Sequence, residues 1–211
     1  MEVLEKCLEE VEVGNQTEFG RMSVLPFFRK KDSNLTYLTL KKAMDGNYLT
    51  ISEVDVAGTV PELKVVYHTP QPVLLLDGEE LIGAKQNRIL NTSVLLKENS
   101  TTIIPVSCTE QGRWSYSSPH FHDSGLVASA RVRRNKSARV QESLRMSCQF
   151  RSDQSEAWNN INDISSEAQV SSPTLSLKDV YEACEKELKN YLESFPLQKG
   201  RLVFWSLSMG K

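Results

Sequence analysis

The sequence predicts an α+β fold in which an N-terminal antiparallel β-sandwich or barrel-like sheet is followed by C-terminal helices. Several strand-like runs occur before residue 116, and short turns rich in Gly, Pro and Asn separate them. No long helical pattern lies between these runs, whereas parallel strands need helical crossovers, so the predicted pairing is antiparallel. Two helical patterns begin after residue 152, which places the helices behind the sheet in the chain.

The composition is that of an ordinary globular protein with 39% hydrophobic and 25% charged residues and a formal net charge of -2. This balance gives no reason to expect nucleic acid as a partner. No apolar run reaches the roughly 18 to 20 residues of a membrane span, and the acidic start does not resemble a targeting signal. The four cysteines lack zinc-finger spacing. These features predict a cytoplasmic protein with reduced thiols and no membrane partner.

The first half of the chain reads as a series of strands with short helices. A helical pattern over residues 1–12 predicts a helix at the start. Farther on, Thr39 can cap a second short helix and Gly46 can end it. Apolar runs bounded by turn residues predict strands over residues 19–28, 49–56, 63–67, 73–76, 92–96 and 101–106.

The second half has a different character. Residues 117–129 are small and polar, which predicts a surface loop. Residues 131–151 are strongly basic, but only Phe150 is aromatic, so base stacking is not supported. This segment is interpreted as an arginine-bearing wall facing the acidic residues or as a solvated helix face.

The helical patterns come next. Asp153 and Glu156 have the spacing of a capping box at the start of a helix. A second helix is expected from Ser176 to Phe195, with Asp179 in its first turn. The tail, residues 201–211, begins like a buried strand that has no following element to pair with, which indicates a truncated chain.

The predicted domain organisation follows from these patterns. It consists of an N-terminal helical extension (1–18), a single domain (19–200) that is strand-rich over 19–116 and helical over 130–196, and a truncated or atypical tail (201–211).

Two polar segments in the strand-rich half are the best candidates for a functional site. The first reads DGEELIGAKQNR from Asp77 to Arg88, and the second reads CTEQGRW from Cys108 to Trp114. A buried strand that opens into charged and amide side chains is costly unless those groups meet partners or a ligand. The candidate ligand-binding residues are Asp77, Lys85, Gln86, Asn87, Arg88, Asn91, Arg113 and Trp114, and the candidate catalytic residues are Glu79, Glu80, Cys108 and Glu110.

Each candidate has an alternative interpretation without function. The carboxylates can act as acid, base or oxygen ligands to a metal, or they can form a solvated hairpin turn paired to Lys85 or Arg88. Cys108 can be a nucleophile or a buried structural thiol, since no histidine lies beside it in the sequence. Trp114 can stack on a base or pack in the core.

A metal site is not predicted, although two histidines have suitable spacing. His120 and His122 share a face if their segment is a strand, and two such side chains can share a metal. The glutamate that a cupin-type site needs shortly after them is missing.

The sequence resembles a known family at several segments taken in order. They are LLLDGEELIGAKQNRILNTSVLL, IPVSCTEQGRW, the arginine-rich segment and SDQSEAW, and the likeness runs from about Leu25 to Phe195. The family is the ARG and rhodanese-phosphatase-superfamily-associated protein domain, where ARG stands for ADP-ribosylglycohydrolase. The resemblance implies functional association with ADP-ribosylglycohydrolase or phosphatase proteins and the handling of nucleotide or ADP-ribose derivatives.

The leading hypothesis from the sequence is a pocket for a small phosphorylated ligand. Lys85 and Arg88 would contact phosphate, and the neighbouring amides would orient sugar or base. The alternative is a non-catalytic protein-interaction module, and a truncated, poorly folded product is a third possibility. Neither turnover nor a cofactor is specified by the sequence.

Overall fold

A computed structural model describes residue 5 and residues 8–30, 36–198 and 201–208. The strands are β1 (Val11–Val13), β2 (Thr17–Phe19), β3 (Met22–Arg29), β4 (Leu38–Thr39), β5 (Leu49–Glu53), β6 (Glu62–Tyr67), β7 (Val73–Leu75), β8 (Glu79–Gly83), β9 (Arg88–Leu90), β10 (Val94–Leu96), β11 (Thr101–Cys108), β12 (Phe121–Val127) and β13 (Arg201–Ser208). The helices are α1 (Leu40–Asp45), α2 (Ala130–Ser147), α3 (Gln154–Glu167), α4 (Leu177–Ala183) and α5 (Glu185–Ser194).

The chain forms two compact units, Met1–Leu35 with Cys184–Lys211 and Thr36–Ala183. In the first unit, β1, β2 and β13 each pair antiparallel with β3. The expectation that the tail lacks a partner is therefore wrong, because β13 pairs with the stretch from Met22 to Phe28. This partner is far away in the sequence, and local patterns do not indicate such pairings.

The helix predicted at the start of the chain lies partly outside the described residues. Helical backbone occurs at Glu5 and Leu8, but β1 begins at Val11, where the prediction still had helix. Within the same unit, α5 packs on β2, and the rings of Phe19 and Tyr191 meet edge to face at 5.2 Å.

The second unit is built on a six-stranded antiparallel sheet in the order β12-β8-β9-β11-β6-β5. The sheet curls so that its edge strands β12 and β5 come into contact, which gives a half-barrel. One face of the sheet points to the inside of the half-barrel. In β6, Leu63, Val65 and Tyr67 lie on this face, alternate with more exposed residues and are almost completely buried. The predicted α+β order, sheet first and helices after, is confirmed.

Two apolar clusters hold this unit together. The larger one fills the inside of the half-barrel and includes Leu40 of α1, which lies against the small β10-β7-β4 sheet. In that sheet β4 pairs with β7 in parallel, unlike the other strands. The second cluster joins Ile89 of β9 to Val132, Ile161 and Leu177, one residue from each of α2, α3 and α4. Three helices are thereby fixed to the sheet beside β9.

The surface loop predicted over residues 117–129 contains strand β12, so that prediction is wrong. Only Phe121 is fully buried within β12, and the strand pairs with β8 at the sheet edge. Its register shifts between Asp123 and Val127, around Gly125 at φ 72°. An exposed, irregular edge strand has no apolar alternation, which is why the sequence pattern resembled a loop.

The long helix expected from Ser176 to Phe195 is two helices. The chain leaves helical geometry at Cys184 (φ -96°, ψ 6°), between α4 and α5. Most of the basic segment forms α2, and two of its arginines, Arg131 and Arg139, pair with glutamates; Arg131 lies 2.7 Å from Glu167. Much of this helix is a solvated face, as one of the two interpretations expected.

The start of α3 is capped by Asp153, as predicted. Its Oδ1 accepts hydrogen bonds from the backbone N–H groups of Ser155 (2.9 Å) and Glu156 (3.2 Å). The carboxylate of Glu156 accepts a hydrogen bond from Arg139 instead of closing the capping box. We expect Asp153→Ala to lower the free energy of unfolding by about 1 kcal/mol, the usual cost of losing a cap. Urea unfolding checks this, with Asp153→Ser as the control that retains a capping oxygen; equal losses in both variants would contradict it.

Candidate functional site

A polar cavity of about 340 Å³ opens beside the edge of the half-barrel. It lies between β8, β12, the chain that follows β11 and the beginning of α4. Its wall consists of Ile82, Gly83, Asn87, Glu110, Arg113, Ser117, Ser118, His122, Ser176, Lys178 and Asp179. Three of the residues singled out in the sequence, Asn87, Glu110 and Arg113, therefore meet at one cavity.

An ion pair between Glu110 and Arg113 forms one side of the cavity, with 2.6 Å between Oε2 and Nη2. The carboxylate also accepts hydrogen bonds from Thr174 Oγ1 (3.0 Å) and from the backbone N–H of Asn87 (3.1 Å). Burial opposes ionisation of Glu110, but these hydrogen bonds and the charge of Arg113 outweigh it and lower the pKa of the carboxyl. Glu110 is therefore an anion at neutral pH.

Arg113 holds the loop around the cavity in place. Its guanidinium donates to the carbonyl oxygens of Ala84 (2.7 Å), Ser115 (2.9 Å) and Gly83 (3.3 Å), and to Oδ1 of Asn87 (3.1 Å). These acceptors come from the first polar segment and from Ser115, which directly follows the second. Arg113 thus joins the turn after β8 to the chain after β11, and only part of the guanidinium is available to a ligand.

Helix α4 is attached to the same wall by backbone bonds. Leu177 donates its N–H to the carbonyl of Thr109 (3.0 Å), and Ser176 forms a bridge with Glu110. As a result, Lys178 lies at the cavity. A hydrogen bond to Glu182 raises the pKa of Lys178, so its ammonium is charged at neutral pH.

Glu80 is a completely buried carboxyl on β8. Oε1 accepts a hydrogen bond from Thr109 Oγ1 (2.9 Å), whereas Oε2 has no partner among the described residues. Burial raises the pKa of Glu80 to about 7 despite the hydrogen bond from Thr109. It does not line the cavity.

The other acidic candidates of the first segment stabilise the turn before β8. The carboxylate of Asp77 pairs with Lys136, which is buried and also donates to the carbonyl of Leu90 (2.7 Å). Glu79 accepts from the backbone N–H of Leu76 (2.7 Å). Neither residue lines the cavity.

Cys108, Gln86 and Asn91 are buried and do not line the cavity. Burial raises the pKa of the Cys108 thiol, although Arg88 and the Glu110 backbone act in the opposite direction. Gln86 donates to the carbonyl of Glu110 (2.9 Å), and Asn91 accepts from Ser107 (2.7 Å). Their bonds tie neighbouring strands and loops to one another.

Lys85, Arg88 and Trp114 form a separate group that does not line the cavity. The Lys85 ammonium lies 5.3 Å from the ring centroid of Trp114 and 5.2 Å from that of Tyr116. Arg88 is completely buried, with its guanidinium carbon 5.7 Å from the Trp114 centroid. The structure therefore distributes the predicted ligand-binding residues over two places.

Several cavity residues were not proposed as ligand-binding residues from the sequence, namely Ile82, Gly83, Ser117, Ser118, Ser176, Lys178 and Asp179. They come from three separate parts of the chain. Ile82 and Gly83 lie within the first polar segment, and the other residues belong to no recognisable motif. His122 was considered only as a metal ligand; in the structure it lines the cavity. In the part of the chain that the structure describes, no three His, Cys, Asp or Glu side chains converge as metal ligands do.

The fold and the site define an α+β protein whose curled antiparallel sheet carries a polar cavity next to a short helix. The chain belongs to the family of the ARG and Rhodanese-Phosphatase-superfamily-associated Protein domain, whose model matches residues 10–207. The resemblance seen in the sequence is thereby confirmed. The family name records an association with ARG and rhodanese-phosphatase-superfamily proteins. Comparisons with curated proteins and with solved structures gave no match.

Across the described residues, every helix is too short or too polar to cross a membrane.

Proposed function

We propose that the cavity binds a small phosphorylated ligand of the nucleotide or ADP-ribose class. The observation that supports this most directly is the composition of its wall, in which the Lys178 ammonium shares the cavity with several hydroxyl and amide groups. A volume of about 340 Å³ is at the small end of ligand pockets. The ligand is therefore of the size of a sugar phosphate or one nucleotide, or is one part of a larger molecule.

The charges in the cavity indicate how such a ligand is oriented. Lys178 is the more available of the two cations Lys178 and Arg113. It pairs with exposed Glu182 at 3.0 Å, whereas the guanidinium of Arg113 is committed to buried Glu110 and to backbone carbonyls. Phosphate therefore binds at the Lys178 side. The Glu110 carboxylate accepts hydrogen bonds, which suits the hydroxyl groups of a ribose.

If the ligand is also processed, the chemistry of the wall points to Glu110. It is the one candidate catalytic residue that lines the cavity, and it is ionised at neutral pH. An ionised carboxylate next to a sugar hydroxyl can act as a general base. Glu79, Glu80 and Cys108 would act only through other groups, because they do not line the cavity.

Lys178→Met tests the proposal. We expect this change to lower the affinity for a phosphorylated ligand at least about tenfold, because one charge-assisted hydrogen bond is lost. The free energy of unfolding should fall by at most about 0.5 kcal/mol, since the ion pair that Lys178 forms with exposed Glu182 at i,i+4 contributes little. The measurement is a thermal-shift screen with AMP, ADP-ribose, ribose 5-phosphate, inorganic phosphate and divalent metals, followed by calorimetric titration.

Lys189→Met is the matched control, because Lys189 also pairs with a glutamate four residues on and does not line the cavity. It should bind like the wild type. If none of these compounds raises the melting temperature of the wild-type protein, the proposal fails and the alternative, a non-catalytic protein-interaction module, gains support.

A further inference from the structure

The guanidinium of Arg88 has one edge without a partner. The side chain is completely buried, and Nη1 donates to Oε1 of Gln86 (3.0 Å) and to the carbonyl of Asn87 (3.4 Å). Nε and Nη2 have no hydrogen-bond partner among the described residues. These two nitrogens form the edge with which arginine binds a carboxylate or a phosphate through two parallel hydrogen bonds.

The residues around Arg88 leave its guanidinium incompletely paired. Its two bonded acceptors are neutral, and Arg113 lies near enough to disfavour a second cation. Among the described residues, the carboxylate of Glu53 favours the charge of Arg88; its Oε1 accepts from the backbone N–H of Lys85 (3.4 Å), and its Oε2 has no hydrogen-bond partner there. A buried guanidinium with unsatisfied donors is costly, so an additional anion there would be stabilising.

Trp114 covers Arg88 on the solvent side. The guanidinium carbon lies 5.7 Å from the Trp114 ring centroid, and Trp114 itself is 48% exposed. The ammonium of Lys85 lies over the rings of both Trp114 and Tyr116 and donates to the carbonyl of Ala57. Trp114 and Tyr116 are exposed and Lys85 is partly exposed, so rotation of these side chains would open a path to Arg88.

We propose that Arg88, together with Lys85 and Trp114, forms an oxyanion-binding site for a carboxylate or phosphate group, separate from the 340 Å³ cavity. The free edge of Arg88 binds two oxygens of the anion, Lys85 adds a third charge-assisted contact, and Trp114 closes over the bound group. The site takes an anionic group at the end of a molecule, because Arg88 is completely buried beneath Trp114.

The test is a titration of ¹⁵N-labelled protein with sodium phosphate and, separately, with sodium acetate at constant ionic strength. The Nε–H resonance of Arg88, identified by its loss in Arg88→Met, should shift and saturate together with the indole N–H of Trp114. Saturation with phosphate alone indicates a phosphorylated ligand, and saturation with acetate alone indicates a carboxylate. If neither anion gives a saturable shift, the donors of Arg88 bind buried water only and the proposal is overturned.

Arg88→Met should lower the anion affinity read from the Trp114 resonance at least about tenfold, as expected for the loss of a charged hydrogen-bonding partner. Methionine fills similar space, so the variant should fold. Trp114→Ala keeps Arg88 and removes the cover, and faster anion exchange is expected. Arg139→Met, which removes an exposed arginine of α2, is the control and should bind the anion normally.

Lys178→Met separates the two proposals. It should leave the Arg88 shift unchanged while it weakens binding in the cavity. If Lys178→Met abolishes the Arg88 shift, the anion occupies the cavity and not this second site.

Discussion

Glu80→Gln is expected to stabilise the protein at pH 8 by up to roughly 3 kcal/mol, and to remove a decline in stability between pH 4.5 and 7. The pKa of Glu80 is about 7 in the folded protein, compared with an ordinary value of 4.5. Each pKa unit corresponds to about 1.4 kcal/mol of difference between the two protonation states. The neutral acid is the form that fits the fold, because Glu80 is completely buried and Oε2 has no partner among the described residues.

The direction of this change in stability with pH follows from proton binding. Between pH 4.5 and 7 the unfolded chain has lost the Glu80 proton while the folded protein still holds it. The folded state then binds more protons, so stability falls as pH rises through this window. Below it both states are protonated, and above it both are ionised. Glutamine stays neutral throughout and can still accept the hydrogen bond from Thr109.

Urea unfolding at several pH values between 4.5 and 8.5 checks this expectation. The difference between Glu80→Gln and the wild type should grow with pH and level off above pH 7. Glu98→Gln, in an exposed turn, is the control and should keep the wild-type profile. Parallel profiles for Glu80→Gln and the wild type would contradict the argument.

Arg113→Met is expected to cost about 3 kcal/mol of stability and to abolish ligand binding in the cavity. Removing one partner of a buried ion pair leaves the other charge uncompensated, at about 3 to 5 kcal/mol. The lower end applies because 16% of the Arg113 side chain is exposed, compared with 8% for Glu110. The carbonyls of Ala84 and Ser115 also lose their donor.

A double-mutant cycle tests whether the ion pair causes this loss. Glu110→Gln in the Arg113→Met background should recover part of the stability, since it removes the unpaired carboxylate. Arg113→Lys should be less stable than the wild type, because an ammonium cannot donate to several carbonyls and a carboxylate in one plane as the guanidinium does. If the two single changes are additive, the pair contributes nothing and Arg113 acts through its backbone contacts alone.

The sequence predicted the parts of this fold whose signals are local. Three of these features depend on neighbouring residues and could therefore be predicted from sequence patterns. They are the alternating burial in β6, the Thr39 cap of α1 and the Asp153 cap of α3. The polar DGEELIGAKQNR and CTEQGRW segments could be recognised because buried polar groups need partners. They did prove to be largely buried, and many of their groups bond to one another.

What the sequence by itself determined is therefore the α+β class, the family and two of the segments that contribute to the site. Only the tertiary structure decided that Asn87, Glu110 and Arg113 share a cavity with Lys178 of α4, whereas Arg88 and Trp114 lie apart from it. It also decided that β13 pairs with β3. The physical reason is that side-chain direction and long-range strand pairing depend on contacts between distant segments. The pattern of apolar residues within a short stretch of sequence does not reveal such contacts.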